Sequence, residues 1–400
     1  MKSYCAYTDE IDDLEKGVKE LSEGIERSKL RKNSLGLVFT DYDIDMEELT
    51  KRLSEEFDFP VIGGTTLASI NKEAGLRQLG IQITVFTADD VRFSAGIITD
   101  IDGNGDADKV RRLYRELSEG EKEKPKIIFT LAATVGQAWN GFTSDEIVEI
   151  LDEESGGCPV LGGAASGDFS YLKMRAFCGS RVSASGVAVA LIYGNLKPLF
   201  VAENSTRKMV NLSWKITKGE GRQVSELDGC SVKEKFREAG LVPEGDTEVT
   251  EFLTSPFLCN LSTKDGDTIE VLRGILYLDH KKDLALYLGT IEEGAYLTPG
   301  IMDMESIEES VRDALTNLSE KIKEEKNYHY ESVFIISCLA RYCLFVADKQ
   351  IEARQIPGKF EDDVTVSGFY SMGEFCPQIG LKNGKYHNVF NNETFVAIAL

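Results

Sequence analysis

The sequence predicts a mixed α/β protein. Its N-terminal domain, over residues 1–205, is expected to contain two similar halves, each running helix–strand–helix–strand–strand–strand. A smaller α/β C-terminal domain with a mixed sheet is expected over 213–400. Three observations lead there. A short glycine-bearing segment occurs twice, Phe59-Pro60-Val61-Ile62-Gly63-Gly64-Thr65-Thr66 and Cys158-Pro159-Val160-Leu161-Gly162-Gly163-Ala164-Ala165, offset by 99 residues from Gly63 to Gly162. Apolar residues alternate between helical and strand spacing around both copies. A polar break, Glu203-Asn204-Ser205-Thr206-Arg207-Lys208, follows the second copy, and beyond it the repeat does not recur in the sequence.

Each element has a local reason. Ile11, Leu14, Val18, Leu21 and Ile25 make one apolar stripe, which predicts a leading helix, as Val110, Leu113 and Leu117 do for the second half. The runs Leu35–Thr40 and Ile127–Leu131 read as buried strands. Met46, Leu49 and Leu53, and then Ile147, Val148 and Leu151, predict the helices that follow them. After the glycine segments come strand-like runs at Gly80–Thr87 and Arg92–Ile98, then at Gly186–Tyr193 and Pro198–Ala202. The halves therefore span about 9–100 and 106–203, and the extra residues of the second are placed in Ala133–Phe142. In the C-terminal part, strands are expected at Trp214–Thr217, Thr268–Leu278, Leu284–Thr290, Val333–Ser337, Val364–Tyr370 and Phe395–Leu400. A helix is expected on Ile307, Val311, Leu315, Leu318 and Ile322, while periodicity leaves Arg341–Ala353 undecided between helix and strand.

Composition narrows the function. The net charge is -22, from 45 Lys and Arg against 67 Asp and Glu. Phosphate backbones and anionic lipid surfaces need cations, so neither nucleic acid nor a membrane is an expected partner. The cluster Lys29, Arg31 and Lys32 reads as favourable charge at a helix C-terminus. The longest apolar runs fall far short of the roughly 20 residues that cross a bilayer, and the N-terminal residues have no apolar signal-peptide core. A cytoplasmic location follows as the expectation, and the eight scattered cysteines then read as free thiols. None of them is paired as CxxC, so a zinc or iron–sulfur site is not expected.

Catalytic signatures are missing. The three histidines, His280, His329 and His387, lie in no catalytic motif, and the sequence holds no GxSxG elbow and no P-loop. The stretch Asp100–Asp108 resembles a calcium loop, yet Arg111 or Leu113 falls where the final bidentate glutamate belongs, so a turn and helix start are expected.

Two groups of residues remain as candidates for binding. Gly63, Gly64 and Thr65, with Gly162, Gly163, Ser166 and Asp168, could offer backbone N–H groups to a ligand, or could simply serve crowded turns. The richer group closes three C-terminal strands: Cys338-Leu339-Ala340-Arg341, then Gly368-Phe369-Tyr370-Ser371-Met372-Gly373-Glu374, then Asn388, Asn391, Asn392 and Thr394. If the strands share a sheet, Arg341 matches a carboxylate and Glu374 an ammonium group. The alternative is an Arg341–Glu374 ion pair tying the strands.

This second group resembles the FIST family, with its N-terminal and C-terminal modules. Cys338–Arg341 and Gly368–Glu374 stand where the C-terminal module carries Cys-x-x-Arg and Gly-Phe-Tyr-x-x-Gly-Glu, and Asn391-Asn392-Glu393-Thr394 stands for its His-Asn-x-Thr, with Asn391 in place of the histidine. The paired turns Gly63–Thr66 and Gly162–Asp168 resemble the N-terminal module. The resemblance implies a sensory protein of signal transduction that binds a small molecule, an amino acid or related metabolite among them. Taken as stand-alone, it would signal through a protein partner or a homo-oligomer. It also leaves open noncovalent haem, since some relatives are described as haem-binding gas sensors, although nothing in the sequence requires a cofactor. An enzyme using the same cleft, with Cys338 as nucleophile, and a protein-binding scaffold are the competing expectations.

Overall fold

The computed structural model describes residues 1–103, 105–133, 143–168, 172–209, 211–242, 252–345 and 347–400. The segment expected to hold the extra residues of the second half lies, from residue 134 on, outside them.

The fold is mixed α/β, as predicted. The first group of elements is β1 (Lys2–Thr8), α1 (Leu14–Gly24), β2 (Asn33–Thr40), α2 (Met46–Glu56), β3 (Val61–Thr65), the short hairpin β4 (Ser69–Asn71) and β5 (Gly75–Arg77), and β6 (Ile81–Ala88). The second is β7 (Val91–Ile98), α3 (Asp106–Leu117), β8 (Ile127–Ala132), α4 (Ser144–Ser155), β9 (Val160–Ala164), the hairpin β10 (Ala176–Cys178) and β11 (Arg181–Ser183), and β12 (Val187–Gly194). A strand follows at β13 (Leu199–Asn204). Then comes an antiparallel sheet of its own: β14 (Arg207–Lys208), β15 (Trp214–Glu220), β16 (Gln223–Leu227), β17 (Cys230–Ser231), α5 (Val232–Glu238), β18 (Phe252–Ser262), β19 (Thr268–Asp279), β20 (Leu284–Tyr287) and β21 (Tyr296–Ile301). The chain closes with α6 (Met304–Glu324), β22 (Ser332–Cys338), α7 (Leu339–Cys343), β23 (Thr365–Ser371), β24 (Glu374–Ile379), β25 (Tyr386–Asn391) and β26 (Thr394–Ala399).

Local chemistry accounts for the helix starts. Asp13 and Asp45 cap α1 and α2, and Thr143 with Glu146 forms a capping box on α4. The α6 stripe of Ile307, Val311, Leu315 and Leu318 is buried. The undecided Arg341–Ala353 stretch begins as the short α7 and ends at a 3-10 turn, Ala353–Gln355. In the calcium-like loop, the Asp106 carboxylate accepts from the Gly103 N–H at 2.6 Å and pairs with Lys109 at 2.8 Å.

The pairing pattern occurs three times, which corrects the reading that it does not return beyond residue 205. The sheets run β1-β6-β2-β3-β10-β11, β7-β12-β8-β9-β24-β25 and β13-β26-β22-β23-β4-β5. Within each, two strands pair in parallel (β2 with β3, β8 with β9, β22 with β23) and the last strand of the unit runs antiparallel beside them. Each unit also sends its hairpin into another unit's sheet: β4–β5 to β23, β10–β11 to β3, β24–β25 to β9. Strand β7, expected to end the first half, instead opens the second sheet beside β12. The third unit is split, because the antiparallel sheet is inserted between β13 and α6.

Burial follows from this ring. Inner faces of the three sheets meet in one core, with Leu35, Leu37 and Phe39 from the first, Ile127, Phe129 and Leu131 from the second, and Phe334, Ile336 and Phe369 from the third. Phe39 stacks on Phe369 with centroids 3.8 Å apart. Outer faces are covered by the units' own helices. The glycine segments expected as turns lie instead within the strands β3 and β9, and Gly368 has the equivalent place in β23. A Cβ on Gly63, Gly162 or Gly368 would stand 2.0, 1.9 or 2.1 Å from the carbonyl oxygen of Val38, Thr130 or Ile335, the residue facing it on the parallel neighbour. Only glycine lets the strands approach that closely.

Candidate functional site

Open α/β sheets collect ligands beyond the carboxyl ends of their parallel strands. In the third unit those ends are Cys338 on β22 and Ser371 on β23, which face each other in register. Beside them the chain turns from β25 into β26 through Asn392 and Glu393. The inserted sheet closes over this turn. The N–H groups of Leu272 and Gly274 on β19 donate to the carboxamide oxygens of Asn391 and Asn392, at 3.3 and 3.0 Å. Arg273 between them is fully buried and donates to the Phe390 carbonyl at 2.6 Å and to Asp145 on α4 at 2.8 Å. The seam thus joins inserted sheet, third unit and second unit.

Two buried carboxylates lie there. Glu374 accepts from the Ser371 hydroxyl at 2.6 Å, the Thr394 hydroxyl at 2.7 Å and the Thr394 N–H at 3.1 Å. Burial pushes its pKa up to about 7 against these hydrogen bonds. Glu393 is 1 % exposed, and neither of its carboxylate oxygens has a hydrogen-bond partner. Burial, then the negative charge of Glu374, holds its pKa well above the ordinary range, with Arg341 opposing. Its backbone sits at φ 59°, a left-handed conformation that costs a glutamate about 1 kcal/mol. The Cys338 thiol is raised well above its usual value, first by burial and then by Glu374 and Glu393, so it is no thiolate nucleophile at neutral pH.

The expected Arg341–Glu374 pair is not formed. Arg341 is fully buried and its Nε donates to Glu352 at 2.8 Å, while its terminal nitrogens donate to Ser205 and Ser310 at 3.0 and 3.1 Å. Tyr370 donates its hydroxyl to the other oxygen of Glu352 at 2.8 Å. The guanidinium also lies over the Phe395 ring, 5.6 Å from its centroid. Its charge is met by Glu352, and its fork is spent on the protein. Glu352 escaped sequence reading because it lies in the stretch whose structure periodicity left undecided.

The other candidates divide. Cys338, Glu374, Asn392 and Thr394 come together at the seam. Tyr370 lies beside them with Arg341. Phe369 packs in the central core, and Gly373, at φ 106°, would drive a Cβ to 2.3 Å from the Phe390 ring. Gly63, Gly64, Thr65, Gly162, Gly163 and Ser166 gather where the three units cross. There the Ser166 N–H donates to the Thr65 carbonyl at 3.0 Å, and the Ser166 hydroxyl donates to the Tyr370 carbonyl at 2.7 Å. The Thr65 hydroxyl accepts from the Arg175 N–H at 3.0 Å. A Cβ on Gly64 would meet the Arg175 carbonyl oxygen at 2.8 Å, and one on Gly163 would meet Ser371 at 2.7 Å. Asp168 stands apart, 3.9 Å from Lys173. Glu393 stands inside the motif Asn391–Thr394, at a position to which the motif gives no role. Its signal is a charged residue directly before a strand that is buried throughout.

Glu374 makes a measurable prediction. In the unfolded chain its carboxyl ionises near 4.5 and in the folded protein near 7, so folding takes up a proton between those values. Stability from this group is complete below about pH 4.5 and declines as pH rises towards 7, by up to about 3 kcal/mol. Urea midpoints at pH 5 and pH 8 should differ less in Glu374→Gln than in the unsubstituted protein. Equal differences would mean that Glu374 does not titrate in that window.

Fold and site together define a mixed α/β protein with a buried polar seam where the inserted sheet meets the third unit. The chain belongs to the FIST family: the FIST N domain matches residues 34–230 and the FIST C domain residues 239–377. FIST domains are sensory domains of signal transduction. No curated protein matches the chain. Among the described residues no helix is long and apolar enough to cross a membrane.

Proposed function

We propose that this chain is a sensor whose small-molecule ligand seats at the seam, against Glu393 and beside Cys338, Glu374, Asn392 and Thr394. The observation that carries this reading is the Glu393 carboxylate, buried with both oxygens unpartnered. Buried polar groups are nearly always paired, and each exception calls for a reason. A bound molecule that completes its hydrogen bonds is such a reason. A groove of about 370 Å³, within the size range of ligand clefts, meets the seam at Arg273 and Phe390 and is lined also by Asp145, Thr290, His387 and Asn388; Glu393 is not among the residues that line it.

The seam also suits signalling. The carboxamides of Asn391 and Asn392 are held by β19, so a ligand that moves Glu393 pulls on the inserted sheet. The output is proposed to pass to a protein partner that reads the position of that sheet.

Thermal denaturation with a panel of small metabolites tests the reading. A ligand at about 100 times its dissociation constant adds roughly 2.7 kcal/mol if it binds only the folded state. A reproducible rise in Tm that disappears in Thr394→Val or Asn392→Ala supports the seat. A panel in which nothing shifts Tm sinks it.

A further inference from the structure

The chemistry of the seam points to the class of its ligand. Arg341 and Glu352 neutralise each other. Arg273 is answered by Asp145. Glu374 is held by three donors, none of them charged. Glu393 is left, an acid with no cation of the protein bonded to it. Arg341 is near enough to act on it, but its hydrogen bonds go to Glu352, Ser205 and Ser310, so a cation bonded to Glu393 has to come from outside the chain.

A metal ion is a poor counterpart, because among the described residues no group of three His, Cys, Asp or Glu is arranged to hold one. A carboxylate is poorer still, because Arg273 and Arg341, the guanidinium groups at the seam, are already engaged. A group with several N–H donors fits. Ser337 supplies a second acceptor: its buried hydroxyl oxygen also has no partner. Ser337 faces Phe395 across β22 and β26, and Glu393 stands two residues before Phe395 in the turn that leads into β26.

We propose that the ligand presents a protonated amine or guanidinium to Glu393, with the Ser337 hydroxyl as a second acceptor. This rests on the seat proposed above. It differs from the expectation of a carboxylate held by Arg341, since that fork is spent on Glu352, Ser205 and Ser310.

The test uses the full chain at pH 7.5 with propylamine, 1,4-diaminobutane and agmatine, each set against its N-acetylated counterpart or, for agmatine, an uncharged urea analogue. Binding is read by calorimetry and by Tm. At least one cation should bind at least tenfold more tightly than its uncharged counterpart. Glu393→Gln should weaken that cation at least tenfold while the unliganded variant keeps or raises its Tm, because an unpaired buried carboxylate has been removed. The charged-against-uncharged contrast is made on the unsubstituted protein, so it stands even if the variant does not fold. Tight binding of neutral or anionic compounds alone would overturn the cation while leaving the sensor intact. A cation that binds Glu393→Gln as well as the unsubstituted protein would remove Glu393 from the seat. A protein that binds no small molecule at all would overturn the sensor reading itself.

Discussion

Arg341→Met should lower the stability of the protein by about 3–5 kcal/mol, the usual effect of stripping one partner from a buried ion pair. Glu352 would be left fully enclosed with only Tyr370 to answer it, and the Ser205 and Ser310 hydroxyls would lose their donors. Glu352→Leu should cost a similar amount by leaving the guanidinium uncompensated. The double variant Arg341→Met/Glu352→Leu should recover most of the loss, because two apolar side chains of matched size replace a desolvated pair. Urea midpoints of the four proteins measure the coupling directly. Additive losses would show that the pair does not act as a unit. Arg341→Lys separates this role from ligand binding. Lysine keeps the charge but not the planar fork, so stability should fall. A variant of full stability that no longer binds ligand would instead return Arg341 to the seat.

Gly162→Ala should be more damaging than any surface change, with a loss on the order of 4 kcal/mol or failure to fold. The added Cβ would stand 1.9 Å from the Thr130 carbonyl oxygen, and the backbone there is at φ 138°, where L side chains are strained. Neither neighbour can yield, since Thr130 is central in its sheet between β9 and β12. Gly105→Ala is the control. Gly105 also has positive φ, 65°, but no atom within 4 Å of its Cβ, so only the conformational penalty of about 1 kcal/mol remains. Soluble, cooperative unfolding of both variants at the same midpoint would refute the steric account. Gly63→Ala and Gly368→Ala meet the same obstacle at the other two units and should behave like Gly162→Ala.

Much of the fold was legible because its signals are local. Buried strands such as β2, β8 and β22 are continuous apolar runs, and α1, α3 and α6 carry single stripes. The short strands β4, β5, β10 and β11 were not legible. At three residues each they show no period, and they exist because another unit's strand edge receives them. The third unit was hidden for a related reason. Its glycine survives at Gly368, but Phe369 stands where the others have a second glycine, and the inserted sheet parts β13 from α6.

By itself the sequence determined the mixed α/β class, the places of the long helices and core strands, the family, and the residues Cys338, Glu374, Asn392 and Thr394 that meet at the seam. These follow from spacing along one stretch of chain. Tertiary structure alone decided that Arg341 belongs to Glu352, that the first glycine pairs lie inside strands where the sheets cross, and that Glu393 is buried without a hydrogen-bond partner. Each of these depends on which groups from distant segments meet where water is excluded. Whether a charge is answered or left alone there is a property of the packed protein, not of any local pattern.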